Sequence, residues 1–171
     1  MEPAGPTSSP ASEEDLIRIR AVADHQFGAT CGTNVFPDDI SVVKSRKTGK
    51  VKGIYYHGKL LATLRPSDGY LALGTAGAAR IALNLKAPRY RVVVMDDFIE
   101  FIRKGRNLFA KHVQSADTNI RPGEEVLVTD TEDRIVATGR AVLSGVEMKR
   151  FKIGMAVKVR NGIESGNLNE V

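Results

Sequence analysis

The stretch that most constrains this chain runs from Arg89 to Val113. An apolar, β-branched run, Arg91–Met95, leads into two acids, a short amphipathic segment, a glycine and a second apolar run, Leu108-Phe109-Ala110. That order predicts strand, helix, glycine turn, strand. Asp96 or Asp97 is placed to cap the helix by accepting from its free N–H groups. Phe98, Ile99, Phe101 and Ile102 fall on one side of it, and Glu100, Arg103 and Lys104 on the other. Arg103 and Lys104 sit in its last turn, where cations favour the dipole, and Gly105 can take the left-handed position after it.

This pattern has a chemical consequence. Arg103, Lys104, Arg106 and Lys111 gather around a helix end and an open backbone turn, with Asn107 between them. Cations beside free backbone N–H groups make a docking surface for phosphates, which fix register without reading bases. The same charges also suit an ordinary solvated helix end, and composition alone does not separate the two readings.

Composition sets the outer bounds. A chain of 171 residues holds one domain or two small ones, and a 42% apolar share suits a globular core. Lys and Arg number 25 against 20 Asp and Glu, a net charge of +5 that biases the surface mildly toward polyanions. There is no long uncharged apolar run to span a membrane, and the N-terminus lacks the apolar core of a signal peptide. A single cysteine, Cys31, leaves no internal disulfide to form. A cytoplasmic location is the expectation.

Taken in order, residues 1–12 are rich in Pro, Ser, Gly and Ala and predict a disordered tail. Ser12, Glu13, Glu14 and Asp15 then start a helix with an apolar stripe of Leu16, Ile19, Ala23 and Phe27, ended by Gly28. A punctuated loop, 29–39, follows, with Val35 and Phe36 turned back into the core. Strands are expected at 40–44, 51–56, 60–64 and 70–73, joined by tight turns at Arg46–Lys50, His57–Lys59 and Arg65–Gly69. A helix over 75–86 closes this half, with Ala79, Leu83 and Lys86 near one line. Pro88 marks the boundary. Beyond the opening stretch, strands are expected at 125–129, 134–143 and 155–159, the second bulged at Gly139. A short helical turn lies within 144–151 and a fraying tail begins at Asn161. The fold class is therefore α+β. A small N-terminal α/β-meander domain, 13–87, precedes a compact unit over 88–162, mostly of antiparallel strands with the spacing of a small barrel, and 163–171 form a flexible tail.

No catalytic constellation emerges. His25, His57 and His112 are scattered, and no Cys-x-x-Cys or His-x-x-x-His pair offers metal ligands, so neither metal nor cofactor is expected. Cys31 has no electropositive partner in its sequence neighbourhood and reads as a small buried residue. Gly74-Thr75-Ala76-Gly77 lacks the Lys-Ser/Thr of a nucleotide-binding loop and reads as a helix start. Arg65 and Asp68 flank a turn as a local ion pair.

Several ordered motifs then define a resemblance. These are Arg91-Val92-Val93-Val94, the helix ending Arg103-Lys104-Gly105-Arg106-Asn107, Phe109-Ala110-Lys111 with Val113, Ile120-Arg121-Pro122-Gly123-Glu124-Glu125-Val126, Ala137-Thr138-Gly139-Arg140-Ala141, and Gly154-Met155-Ala156-Val157-Lys158-Val159-Arg160. With them residues 90–161 resemble a PUA domain, an RNA-binding module, which implies a pseudo-barrel. Ala23-Asp24-His25-Gln26-Phe27-Gly28, Phe36-Pro37-Asp38-Asp39 and Leu60–Tyr70 make residues 20–87 similar to the small domain that precedes PUA in archaeal archaeosine tRNA-guanine transglycosylases. The catalytic barrel of that family, with its aspartates and zinc cysteines, has no counterpart here.

The resemblance implies RNA contacts from the first helix, the glycine turn after it and the next strand. At matching positions these are Arg103, Lys104, Gly105, Arg106, Asn107 and Lys111, with Lys158 and Arg160 of the closing strand as a second contribution. The expected partner is RNA, above all tRNA, together with a separately encoded tRNA-modifying enzyme that this chain would assist. Two other readings stay open. One is an RNA- or nucleoside-modifying enzyme with its site in the N-terminal domain, near Gly28–Asp39 and Arg65–Asp68. The other is an adaptor that docks a protein partner.

Overall fold

In the computed structural model, which describes residues 7–164, the first helix begins where its acids place it. Ser12 Oγ accepts from the Asp15 N–H at 3.1 Å, and the Asp15 carboxylate accepts from the Ser12 N–H at 3.2 Å, a reciprocal capping box. This helix, α1 (Glu13–Phe27), buries Ile19, Ala23 and Phe27 and stops at Gly28. The segment after it, expected to be loop, holds a short helix, α2 (Cys31–Val35). Long-range polar contacts build it, and no local pattern displays them. Asp24 accepts from the Gly32 N–H at 2.7 Å, Arg20 donates to the Phe36 carbonyl at 2.8 Å, and Arg80 donates to the Val35 carbonyl at 2.7 Å. Val35 and Phe36 are fully buried, as expected, and Cys31 is buried beside them.

An antiparallel meander packs against these helices: β2 (Ser41–Lys44), β3 (Val51–Tyr56), β4 (Lys59–Leu64) and β5 (Leu71–Leu73). The disordered tail expected through Ser12 needs correction. Ser9 and Pro10 form β1, pairing with Val42 and Ser41 at the sheet edge, and Ala11 donates to the Ile40 carbonyl at 3.0 Å. Proline is compatible with an edge strand because its missing N–H can face away from the ladder. Residues 1–6 lie outside the described residues.

The closing helix of this half, α3 (Thr75–Asn84), buries Gly77, Ala78 and Ile81. The expected line through Ala79 and Leu83 instead faces outward, with Leu83 88% exposed. Small residues explain the difference: a Cβ at Gly77 would run into the Leu61 carbonyl of β4. The helix is seated by Gly77 and Ala78, close against β4, together with the fully buried Ile81.

The chain divides into two compact units, one ending at Asn84 and the other starting at Leu85. The second is a six-stranded sheet in the order β7-β11-β10-β9-β6-β8. Its strands are β6 (Arg91–Val94), β7 (Leu108–Phe109), β8 (Val113–Ala116), β9 (Glu125–Thr129), β10 (Ile135–Ala141) and β11 (Met155–Gly162). All pairs are antiparallel except β6 with β9. The sheet curls nearly closed around Val92, Val94, Ile102, Leu108, Val126, Val128 and Val157, so the pseudo-barrel expectation holds. The register shifts between Thr138 and Gly139, at the expected bulge. Two short helices pack on the barrel core through Ile102 and Met148, α4 (Ile99–Arg103) and α5 (Gly145–Arg150), the latter started by a Ser144–Glu147 capping box. The closing strand runs to Gly162 rather than fraying from Asn161. Ile163 donates to the Val136 carbonyl at 3.0 Å, which ties the start of the expected tail to the barrel, and 165–171 lie outside the described residues.

The acidic tip between β9 and β10 is a built feature. Burial pushes the Asp130 carboxyl upward, but N–H groups of Arg134 and Glu132 and the Arg134 guanidinium at 2.6 Å outweigh it, and the pKa falls below the ordinary 3.8. A depressed folded-state pKa stabilises the fold above the unfolded value, and that contribution is lost as pH falls through the folded value. Asp130→Asn is expected to cost about 1–2 kcal/mol at neutral pH. The gap from wild type should close as the pH drops below 3.8. Urea unfolding at neutral and acidic pH measures both.

Candidate nucleic-acid interface

The expected helix is shorter than its sequence pattern. Asp96–Phe98 form a 3-10 turn, and α4 starts only at Ile99. Neither Asp96 nor Asp97 caps a helix end with its side chain. They lie inside the 3-10 turn, and Met95 and Phe98 occupy the two cap positions. The exit is as expected. Gly105 adopts φ 88°, its N–H donates to the Ile102 carbonyl at 2.9 Å, and the Arg106 N–H donates to the Phe101 carbonyl at 3.1 Å. That double bond pattern is a Schellman closure. Any side chain at position 105 would be forced into the left-handed region, so Gly105→Ala is expected to destabilise by about 1 kcal/mol. Thermal unfolding measures it.

The turn is fastened to the last strand. Asn107 Oδ1 accepts from the Val159 N–H at 3.1 Å, and Leu108 and Phe109 pair with Val157 and Met155. The predicted basic residues then divide into two groups. Lys104, Arg106, Lys111 and Lys158 are exposed and make no ion pair among the described residues. Arg103 is held by Glu164 at 2.7 Å and Glu100 at 3.6 Å, and Arg160 binds the fully buried Glu125 at 2.6 Å. Arg103, Asn107 and Arg160 are thus engaged in holding the turn and the barrel together. Gly105 shapes the turn, and Lys104, Arg106 and Lys111 stand around it.

A further stretch, Phe151–Gly154, reaches β7 at its end, where the Ala110 N–H donates to the Gly154 carbonyl at 2.9 Å and Met155 pairs with Phe109. Phe109, Phe151 and Ile153 are exposed there, at 43%, 46% and 87%, with exposed Lys149, Arg150 and Lys152 interleaved. Exposed aromatic rings among cations suit bases that stack while their phosphates are held. The signal was present as Lys149-Arg150-Phe151-Lys152-Ile153, a cation–apolar alternation hidden behind the Ser144 cap. Arg140 lies directly across from Lys158 on the neighbouring strand and is also exposed. His112 stacks on Phe98 with ring centroids 3.5 Å apart. Its burial, and then the charge of Lys111, lower its pKa, so the ring favours its neutral form beside the cations.

The N-terminal candidate region is differently built. Arg20 and Arg80 hold the carbonyls of residues 34–36 in place, Arg20 also binds Asp38 at 2.7 Å, and Arg65 pairs with Asp68 at 3.1 Å. These are fold-holding contacts. Among the described residues no group of three His, Cys, Asp or Glu is placed to hold a metal ion, and no helix is long and apolar enough to cross a membrane.

Fold and surface together define a two-domain architecture: a small α+β unit and a barrel with a cationic turn. Residues 17–88 match the patch-forming domain C2 of tRNA-guanine transglycosylase, and residues 90–163 match the PUA domain, an RNA-binding module. The chain thus carries two matched domains in one order, and the relatives it resembles are the C-terminal parts of archaeal tRNA-guanine(15) transglycosylases. It is 50% identical to the tRNA-guanine(15) transglycosylase of Thermococcus kodakarensis over 155 residues, which is 91% of this chain and 26% of that protein. With the Methanothermobacter thermautotrophicus enzyme it shares 44% over 149 residues, 87% of this chain and 23% of that one. The chain thus spans about a quarter of the length of these curated relatives. Among solved structures, a hypothetical protein of Pyrococcus horikoshii superposes with a TM-score of 0.72 at 23% identity, covering 91% of this chain and 94% of that one. A PUA-domain structure from Aeropyrum pernix gives 0.71 at 17% identity, covering 96% and 89%. Both likenesses concern the fold.

Proposed function

We propose that this chain binds tRNA and serves as an accessory or targeting subunit for a tRNA-guanine transglycosylase-type modification, the archaeosine pathway chemistry. It supplies grip rather than catalysis. The observation that carries the reading is the set of Lys104, Arg106 and Lys111 around the Gly105 turn, exposed and without ion pairs among the described residues. Such cations contribute affinity through phosphates. A-form RNA stems present shape and 2′-hydroxyls more readily than base edges, so recognition of a tRNA stem or its single-stranded end fits this surface. The identity to tRNA-guanine(15) transglycosylases supports tRNA over other RNAs.

Two experiments test the proposal. RNA crosslinked to the protein in its native host is sequenced; the expected result is strong enrichment of tRNA, and a population dominated by other RNAs contradicts it. Purified protein is then added to a transglycosylase catalytic barrel acting on tRNA. Base exchange should rise with the protein present and be absent with the protein alone. Turnover by this chain alone would favour an enzymatic reading.

A further inference from the structure

The unit ending at Asn84 carries a second concentration of cations that the PUA surface does not use. The β2–β3 turn and the start of β3 hold Arg46, Lys47, Lys50 and Lys52, all exposed and none in an ion pair among the described residues. Beside that turn lies a cavity of about 520 Å³, walled by Ile19, Val22, Val51, Leu64 and Pro66, with Lys50 and Lys52 along it. Its volume is in the range of sites that enclose small organic ligands. The Asp15 carboxylate on its lining is held by Lys44 at 2.7 Å, which leaves the neighbourhood cationic. Arg65 also lines it, only 13% exposed. Its Nη2 meets Asp68 at 3.1 Å and its guanidinium lies over the Tyr70 ring, 5.8 Å from the centroid, so Arg65 braces the wall of the groove.

Apolar walls with cations at the rim describe a ligand that joins an apolar face to a negative charge. We infer that this groove receives one unstacked nucleotide of the bound RNA, its base between Val22 and Leu64 and its phosphate on Lys50 and Lys52. An acidic peptide would match the charge but not the apolar walls. The inference rests on the tRNA reading given above and adds a second contact, on the C2 domain, to the one on the PUA domain.

The test has two arms, both on the full chain. In the first, AMP, CMP, GMP and UMP are titrated separately while the methyl signals of Val22, Val51 and Leu64 are followed by NMR, with inorganic phosphate as control. At least one nucleotide should move these methyls, and Val22→Phe, which fills the groove and leaves every charge in place, should abolish the shift. No shift with any nucleotide, or the same shift with phosphate alone, overturns the inference. In the second arm, K50E/K52E and Val22→Phe are compared with wild type for tRNA binding. Each should weaken it about tenfold, and only the charge reversal should flatten the salt dependence, by about two units of slope. Wild-type binding by both variants overturns the inference even if free nucleotides bind, whereas their weakening by an acidic peptide competitor alone would assign the groove to protein. The outcomes also separate the two claims. Nucleotide-dependent shifts with no tRNA binding by wild type defeat the tRNA reading. Wild-type tRNA binding with a silent groove defeats only the inference.

Discussion

The R106E/K111E double variant is expected to lose tRNA affinity by on the order of 100-fold at low salt while keeping its unfolding temperature. Both side chains are exposed and neither forms an ion pair among the described residues, so the fold does not depend on their charge. Arg106 follows the left-handed Gly105, where the Schellman closure fixes the backbone, and Lys111 follows β7, whose partner is β11. The two cations therefore stand on backbone that is held from both sides, and reversing them replaces phosphate attraction with repulsion at a fixed place. Filter retention of tRNA together with thermal unfolding separates lost binding from lost folding. Retention at the wild-type level would remove the turn from the binding surface.

Arg160→Met should act in the opposite way, by destabilising the PUA domain and sparing the RNA surface. The Arg160 guanidinium meets Glu125 at 2.6 Å, and the Glu125 side chain is fully buried on β9. Removing the guanidinium strips that buried carboxylate of its Arg160 bond, and breaking a buried pair on one side costs about 3–5 kcal/mol. For a unit of this size the melting temperature should fall by roughly 10 °C or more. Pairing the change with Glu125→Leu should restore much of the loss, since replacing both charges by apolar groups is often near neutral. Thermal unfolding of the single and double variants measures this. An unchanged melting temperature in Arg160→Met would mean that the pair is dispensable.

Much of the fold is legible because its signals are local. The Ser12 cap, the tight turns around Gly49, Gly58 and Gly69, the bulge at Gly139 and the Gly105 exit all follow from residue types at fixed offsets. What escapes the sequence is set by long-range contact. Helix α2 exists because Arg20, Asp24 and Arg80 reach it from α1 and α3. The buried face of α3 is set by Gly77 and Ala78 against β4 with Ile81, so the line through Ala79 and Leu83 turns outward while Ile81 and Leu85 turn in. The site follows the same rule. The sequence places Arg103 and Asn107 at the turn and Arg160 on the closing strand, but only the structure reveals Glu164, the Val159 N–H and Glu125 as their partners. Gly154, at the end of the exposed Phe151–Ile153 stretch, reaches β7 through a bond from the Ala110 N–H that no local pattern displays.

The most direct measurement is the affinity of the intact protein for a tRNA transcript as salt is raised from about 50 to 200 mM. Phosphate contacts by Lys104, Arg106, Lys111 and Lys158 imply a slope of log affinity against log salt of about −3 or steeper, flattening by roughly two units in R106E/K111E. A wild-type slope near zero, or one that the double reversal leaves untouched, would contradict the account.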